Sequence, residues 1–180
     1  MNPLEIIARH YPTDSEAYPI LVTHSRSVAD KALAIAAMHP EMELDLPFLE
    51  EAAMLHDIGI FLCDAPGIGC FGSSPYICHG YLGADLMRKE GYERHARVCE
   101  RHTGTGLTRE MIDNQQLPLP RREMTPVTLE EQLICFADKF FSKTHLTKEK
   151  SVEKVRKSLL KYGNETVARF DAWCKLFLYL

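Results

Sequence analysis

Apolar residues recur at intervals of three and four along most of the chain, the spacing of helix faces rather than of strands. The pattern predicts a short helix near residues 3–10 and a longer one from about Pro19 to Met38, stopped by His39-Pro40. The entry to this second helix is ambiguous, because Thr13-Asp14-Ser15-Glu16 resembles a cap and a start there would leave Pro19 inside the helix as a kink. A third helix runs from about Pro47 to Ile58 and ends at Gly59, and residues 59–76, rich in Gly and Pro, read as a loop. Helices near 80–90, 93–102 and 108–116 follow. Thr128-Leu129-Glu130-Glu131 is a capping box opening a helix expected to reach about Lys143, and helices near 151–161 and 164–178 close the chain. No segment alternates cleanly enough to propose a sheet, and no repeat, long linker or low-complexity tract divides the chain. The expectation is an all-α protein with a single domain over residues 1–180.

Composition narrows the functional classes. With 180 residues, 46% apolar and 26% charged, the chain is long enough to bury a substantial core and reads as globular. The formal charge of −4 (21 basic against 25 acidic residues) argues against nucleic acid as a partner. A small phosphorylated substrate stays open, since it needs only a local cluster of positive charge. Charged residues interrupt every apolar stretch short of bilayer length, so no membrane span is expected. No basic leader with an apolar run opens the sequence, and Cys63, Cys70, Cys78, Cys99, Cys135 and Cys174 form no C-x-x-C pair. Reduced thiols and a cytoplasmic location are the expectation.

Certain polar residues fall on faces that should be buried. His24 shares a stripe with Ile20, Val28 and Ile35, and His56 follows Leu49, Ala52 and Ala53. Asp57 lies four residues after Ala53, while His79 precedes Leu82, Gly83 and Leu86 on one face. His102 follows Val98 and Cys99, and Asp138 follows Ile134 and Cys135. A lone inward histidine is usually a core residue with one satisfied hydrogen bond. A buried carboxylate must be paired or bind a metal, and the set as a whole points to coordination. Nitrogen and oxygen donors without thiolate suit iron, manganese, zinc, cobalt or nickel. Six protein ligands exceed the need of a single catalytic zinc, so two ions roughly 3.5–4 Å apart are expected. Neither H-E-x-x-H nor a ferritin-like E-x-x-H pair is present.

The order His24, His56-Asp57, His79, His102, Asp138 resembles the H…HD…H…H…D signature of the HD domain superfamily, and Leu55-His56-Asp57-Ile58-Gly59 is similar to its HDIG subset. The resemblance extends from about residue 20 to 143 and includes His79-Gly80-Tyr81-Leu82-Gly83-Ala84, Arg101-His102-Thr103-Gly104-Thr105-Gly106 and Ala137-Asp138-Lys139. It implies an HD-type helical bundle with the metal site between helices, its core at about 20–143 and the C-terminal helices (about 151–178) packed on it. By position, His24, His56, Asp57 and Asp138 would bind one metal; Asp57 would bridge to a second, completed by His79 and His102. Two divalent or mixed-valent ions are implied, iron or manganese favoured. The resemblance also implies a metal-dependent phosphohydrolase acting on a nucleotide or other small phosphorylated metabolite through metal-activated hydroxide. The alternative is a mixed-valent di-iron oxygenase on the same ligands, and a non-catalytic nucleotide sensor is a third reading.

Helper residues are less sharply marked. Asp57 aside, Asp64 and Lys139 are the catalytic candidates nearest in sequence, though an exposed loop aspartate and an ordinary ion pair are the bland readings. Thr105, in the turn after His102, and Arg109 are candidate substrate contacts, against a plain turn and a solvated first-turn residue. The loop 60–76 is a candidate lid or insertion. His39 reads as a cap, His145 as exposed, His10 as lacking a companion and His95 as an outside ligand. The lysine-rich run 143–161 reads as a solvated face. Phe170, Trp173, Phe177 and Leu180 should dock on the core.

Overall fold

Helix follows helix: α1 (Pro3–His10), α2 (Ala17–Met38), α3 (Leu46–Leu55), α4 (His79–Lys89), α5 (Glu93–Arg101), α6 (Arg109–Asn114), α7 (Leu129–Asp138), α8 (Val152–Leu159) and α9 (Asn164–Leu178). This architecture comes from a computed structural model that describes residues 1–146 and 148–178. The protein is all-α, with one small antiparallel ribbon of β1 (Asp64–Ala65) and β2 (Cys70–Phe71). Local chemistry sets the starts of the helices. Asn2, Asp45, Thr108, Thr128 and Ser151 each accept an amide two or three residues on, at 3.1–3.3 Å, satisfying donors that a helix leaves orphaned. Ser15 Oγ accepts the Tyr18 amide, so Pro19 falls in the first turn of α2. A first-turn proline forfeits no intrahelical bond, and the expected kink has no cause.

Helix α7 is the centre of the bundle. Leu133, Ile134, Cys135, Phe136 and Ala137 are all fully buried, and the helix packs against α2, α3, α5 and α9. On its outer side Phe136 and Phe140 meet Phe170, Trp173 and Phe177 in an aromatic cluster with ring centroids 5.1–6.5 Å apart. Trp173 Nε1 donates to Gln132 Oε1 at 3.1 Å, so this contact buries no unpaired donor. His39 caps α2 and bonds the Phe177 carbonyl at 3.0 Å, tying α9 to the opposite side of the core. Docking of Phe170, Trp173 and Phe177 agrees with their helical spacing; Leu180 lies outside the described residues.

Three local expectations are corrected. Helix α7 stops at Asp138, not Lys143: Lys139, Phe140 and Phe141 bond the carbonyls three residues back, tightening the end before the chain turns away. Helix α3 ends at Leu55, and residues 58–62 form a 3₁₀ turn instead of a last helical turn. Residues 59–76 are not an irregular loop. Pro66 opens a 3₁₀ turn, Gly69 closes it with φ +70°, and the chain returns as β2. The ribbon escaped the sequence pattern because each strand is only two residues long, too short to alternate. His10 belongs to neither cluster of potential ligands and stacks on Phe61 with ring centroids 5.6 Å apart.

Candidate metal centre

Helix ends generate the site. His56 follows the last residue of α3, His79 follows the 3₁₀ turn Tyr76–Cys78, and His102 follows α5. Each imidazole folds back and bonds through Nδ1 to the carbonyl three residues earlier: His56 to Ala53 at 2.6 Å, His79 to Tyr76 at 2.6 Å and His102 to Cys99 at 2.7 Å. A carbonyl can only accept, so each Nδ1 carries the proton and donates it. One bond thereby fixes the orientation of each ring and turns its Nε2 toward the core, where the neutral form offers a lone pair. Asp57, beside His56, sits at φ −103° and ψ 12°, a sparsely occupied backbone region in which its carboxylate turns inward. His24 comes from the middle of α2 and Asp138 from the last position of α7.

These side chains converge on Asp57, whose two oxygens divide them. Oδ2 faces His24 Nε2 at 3.2 Å and His56 Nε2 at 3.0 Å, and Asp138 Oδ1 closes this group at 3.0 Å from His24 Nε2 and 3.4 Å from His56 Nε2. Oδ1 faces His79 Nε2 at 3.4 Å and His102 Nε2 at 3.3 Å, and those two nitrogens are 3.1 Å apart. The donor atoms thus form two groups sharing Asp57, each gathered within 4.8 Å. For His79 and His102 the geometry sets acceptor against acceptor, an arrangement that repels unless a cation lies between. His24 Nδ1, His56 Nε2 and both Asp57 oxygens are buried without a hydrogen-bond partner. Buried polar atoms are normally satisfied, so the donor set fits divalent metal binding.

The electrostatics agree. Burial opposes ionisation of Asp57, yet His56, Lys143, His102 and His24 outweigh it and hold its pKa well below the usual range. Burial likewise opposes Asp138, and Lys139, His24 and His56 reverse the effect. For His79 burial dominates and the pKa falls to about 3, which keeps the ring neutral and its lone pair available. Burial lowers His102 as well. His56 also suffers from burial, but Asp57 and Asp138 overcome it and lift its pKa to about 9, so a cation there must displace a proton.

Close backbone contact brings the halves of the site together. A Cβ on Gly59 would lie 2.3 Å from the His79 carbonyl oxygen and 2.5 Å from the Gly83 amide nitrogen. Only two facing glycines let the turn after Asp57 rest on the first turns of α4, and that contact sets the distance from Asp57 to His79.

A cavity of about 580 Å³ opens over the His24–Asp138 side. Lys139, Lys143, Lys150 and Lys161 line it together with Tyr76 and Tyr162. Lys139, a sequence candidate, is in place: its ammonium pairs with Asp138 Oδ2 at 2.8 Å and donates to the His102 carbonyl at 3.0 Å. The other helpers are not brought in. Asp64 is exposed in β1, outside the cavity lining and without an ion pair to the cluster; Ala65, Gly67 and Ile68 of its ribbon form the wall. Thr105 is fully buried and donates to the Thr166 carbonyl, tying its turn to α9. Arg109 is exposed on α6 and pairs with Asp113 at 3.7 Å. His95 belongs to a separate contact, 3.4 Å from Glu51 and edge-on to Phe48. His145 is exposed.

Sequence reasoning missed Lys143, Lys150 and Tyr76. Lys143 Nζ lies 2.5 Å from Asp57 Oδ2 and is largely buried, which corrects the solvated-face reading at this position. The premature end of α7 is what sends it there; on a continuing helix a residue five beyond Asp138 would face elsewhere. Tyr76 stacks on His79 with ring centroids 4.7 Å apart, and its carbonyl orients that imidazole. Lys150 crosses back to the carbonyls of Lys139 and Phe141 at 3.5 Å.

Comparison with known proteins agrees with this geometry. An uncharacterised protein of Methanocaldococcus jannaschii is 33% identical over 121 residues, covering 66% of this chain and 64% of the relative. A tRNA (cytidine(56)-2'-O)-methyltransferase of Thermoplasma volcanium is 30% identical over 151 residues, covering 83% of this chain and 40% of that protein. The same-named enzyme of Picrophilus torridus is 31% identical over 124 residues, 68% of this chain and 32% of its own length. The chain therefore spans less than two thirds of each of these relatives. No solved structure matches. Residues 21–143, more than half of the sequence and all six converging side chains, match the HD domain, and the chain belongs to the HD domain family.

Proposed function

We propose that the protein is a metal-dependent phosphohydrolase with a dinuclear centre, acting on a nucleotide or another small phosphorylated metabolite. The observation that carries this reading is the convergence of four buried imidazoles and Asp138 on Asp57 in two potential ligand groups, opening beside a lysine-lined cavity. His24, His56, Asp57 and Asp138 would hold one ion, and Asp57, His79 and His102 the other; iron or manganese is the favoured pair of choices, and the nitrogen and oxygen donors also suit zinc, nickel or cobalt. When bound, such ions supply a water acidified toward neutral pH and positive charge for phosphoryl oxygens. The chain's own part is positioning. Backbone carbonyls hold three imidazoles in the ligating tautomer, and Lys139 steadies Asp138 while facing the cavity. Lys150 and Lys161 add positive charge where a phosphate would approach.

Phe170, Trp173 and Phe177 of α9 share the aromatic cluster of α7, and Val155 and Leu159 of α8 join the same core, which supports reading the chain as one domain. Six buried free thiols fit a reducing cytoplasm, and among the described residues no helix is long and apolar enough to cross a membrane. The methyltransferase relatives raise RNA as a bearer of the phosphate, and exposed Lys148, Lys154 and Lys157 lie in the same basic run.

The test begins with metal analysis of anaerobically prepared protein. Phosphate release is then screened over nucleotides, small phosphate esters and RNA bearing terminal phosphates, with oxygen consumption followed in parallel. Phosphate release that disappears in the His79→Ala/His102→Ala variant is the expected result. Oxygen uptake without phosphate release would replace the hydrolase by the di-iron oxygenase.

A further inference from the structure

Two ammonium groups face the two carboxylates of the centre, and their positions are not equivalent. Lys139 contacts Asp138 through Oδ2, whereas the imidazoles of His24 and His56 gather on Oδ1. Its ammonium is also fixed by the His102 carbonyl. A cation between the histidines and Asp138 Oδ1 can therefore coexist with it. Lys143 differs. It lies 2.5 Å from Asp57 Oδ2, the same oxygen that His24 and His56 approach at 3.2 and 3.0 Å. A metal ion held by those nitrogens and that oxygen would meet the ammonium at close range in a buried setting, where like charges repel strongly.

Space is available for Lys143 to leave. Its side chain lines the cavity beside Tyr76 and Lys150, and its backbone belongs to the segment after α7. A four-carbon stem on such a segment can redirect its head by rotamer changes alone. Charge counting gives the direction. Asp57 and Asp138 are already matched by the ammonium groups of Lys139 and Lys143, so the centre has no negative charge to spare without metal. Adding divalent ions makes it strongly positive until a cation withdraws and an anion enters.

We propose that Lys143 is an exchangeable counter-ion: it neutralises Asp57 while the centre lacks metal, swings into the cavity when cations bind, and there holds an oxyanion such as a phosphate group of the ligand. This inference rests on the metal-centre reading. One consequence is coupling, because metal binding frees the group that receives phosphate, so each tightens the other. Another is that the metal-free protein neither collapses nor exposes a naked carboxylate, since the lysine occupies the charge.

The test reads lysine exposure and metal affinity, not turnover. Wild-type protein is acetylated with an N-hydroxysuccinimidyl ester, with and without Mn²⁺, and each lysine is followed by mass spectrometry. Lys143 should react severalfold faster with Mn²⁺ present, and inorganic phosphate should slow it again. Lys154, exposed on α8, should not change. In parallel, Lys143→Met should bind Mn²⁺ severalfold more tightly than wild type and lose the tightening by phosphate, while Lys154→Met matches wild type. A Lys143 reactivity indifferent to Mn²⁺, or a Lys143→Met variant with equal or weaker affinity, overturns the exchange. If that variant does not fold, the wild-type labelling decides alone. Mn²⁺ that binds while Lys143 stays protected sinks only this inference; failure of Mn²⁺, Fe²⁺ and Zn²⁺ to bind at all sinks the metal reading with it.

Discussion

Two kinds of buried carboxylate sit within this bundle. Glu100 receives Arg88 at 3.3 Å and Arg122 Nε at 3.1 Å, and Glu131 receives Arg101 at 2.8 and 3.1 Å together with the Val127 amide at 2.7 Å. These groups face donors that cannot be anything else, and they stitch α5 to its neighbours. Asp57 is buried more completely, yet neither of its oxygens accepts a hydrogen bond and its neighbours are imidazole nitrogens and one lysine. Burial alone therefore does not mark a functional acid. The identity of what faces it does: guanidinium groups complete a structural pair, whereas imidazole nitrogens crowded onto one carboxylate, with a single lysine beside them, leave a place for a cation.

The sharpest way to break this comparison is to neutralise one acid of each kind. Asp57→Asn should abolish binding at both groups of ligands, because each uses one of its oxygens. Loss of outer partners alone costs roughly 10–100-fold in metal affinity, and a shared ligand should cost at least that, with phosphate release falling in step. Glu131→Gln should instead keep full metal content and lose stability, approaching the roughly 3–5 kcal/mol of a broken buried pair. Metal analysis and urea denaturation with and without Mn²⁺ separate the two. Mn²⁺ should raise the melting temperature of wild type and Glu131→Gln by mass action and leave Asp57→Asn unmoved. The reverse pattern would show that Asp57 is the structural acid.

Gly59→Ala should have an intermediate effect. The added methyl meets the His79 carbonyl and the Gly83 amide, both backbone, so α4 must shift. Overpacking of this kind costs typically 1–3 kcal/mol. The displacement falls on His79, so the Asp57–His79–His102 group should lose affinity while the His24–Asp138 group largely keeps it. A metal titration showing one site weakened and one preserved is the expected result; two unchanged sites would mean that the glycine contact does not position His79.

The sequence carried the converging side chains because the inward face of a helix is visible as periodicity, and a polar residue at an apolar position stands out. His24 on its Ile20–Val28–Ile35 stripe and Asp138 after Ile134–Cys135 are of this type. Lys143 was hidden because its placement depends on where α7 ends, and helix ends are decided by tertiary contacts as much as by local sequence. Thr105 and Arg109 misled for a related reason. Proximity in sequence to His102 places them beyond a turn whose direction is fixed by Gly104 and Gly106, both at positive φ. That turn sends Thr105 against α9 and Arg109 into solvent. The orienting carbonyls of Ala53, Tyr76 and Cys99 follow from helix geometry once the histidines are known to sit at helix ends.

The smallest expected effects belong to Asp64→Asn and Arg109→Ala. Both side chains are exposed, and neither lines the cavity. Stability should change by no more than about 0.5 kcal/mol, and phosphate release by no more than the about twofold that such an energy makes. Steady-state assays beside denaturation curves are sufficient to check this, because the informative outcome is a large change rather than a small one. Should Asp64→Asn remove activity while leaving metal content and stability intact, the ribbon of β1 and β2 must close over the centre during turnover. Asp64 would then join the lysines as a group facing substrate, and a carboxylate lacking any buried partner would prove as functional as the most deeply buried one.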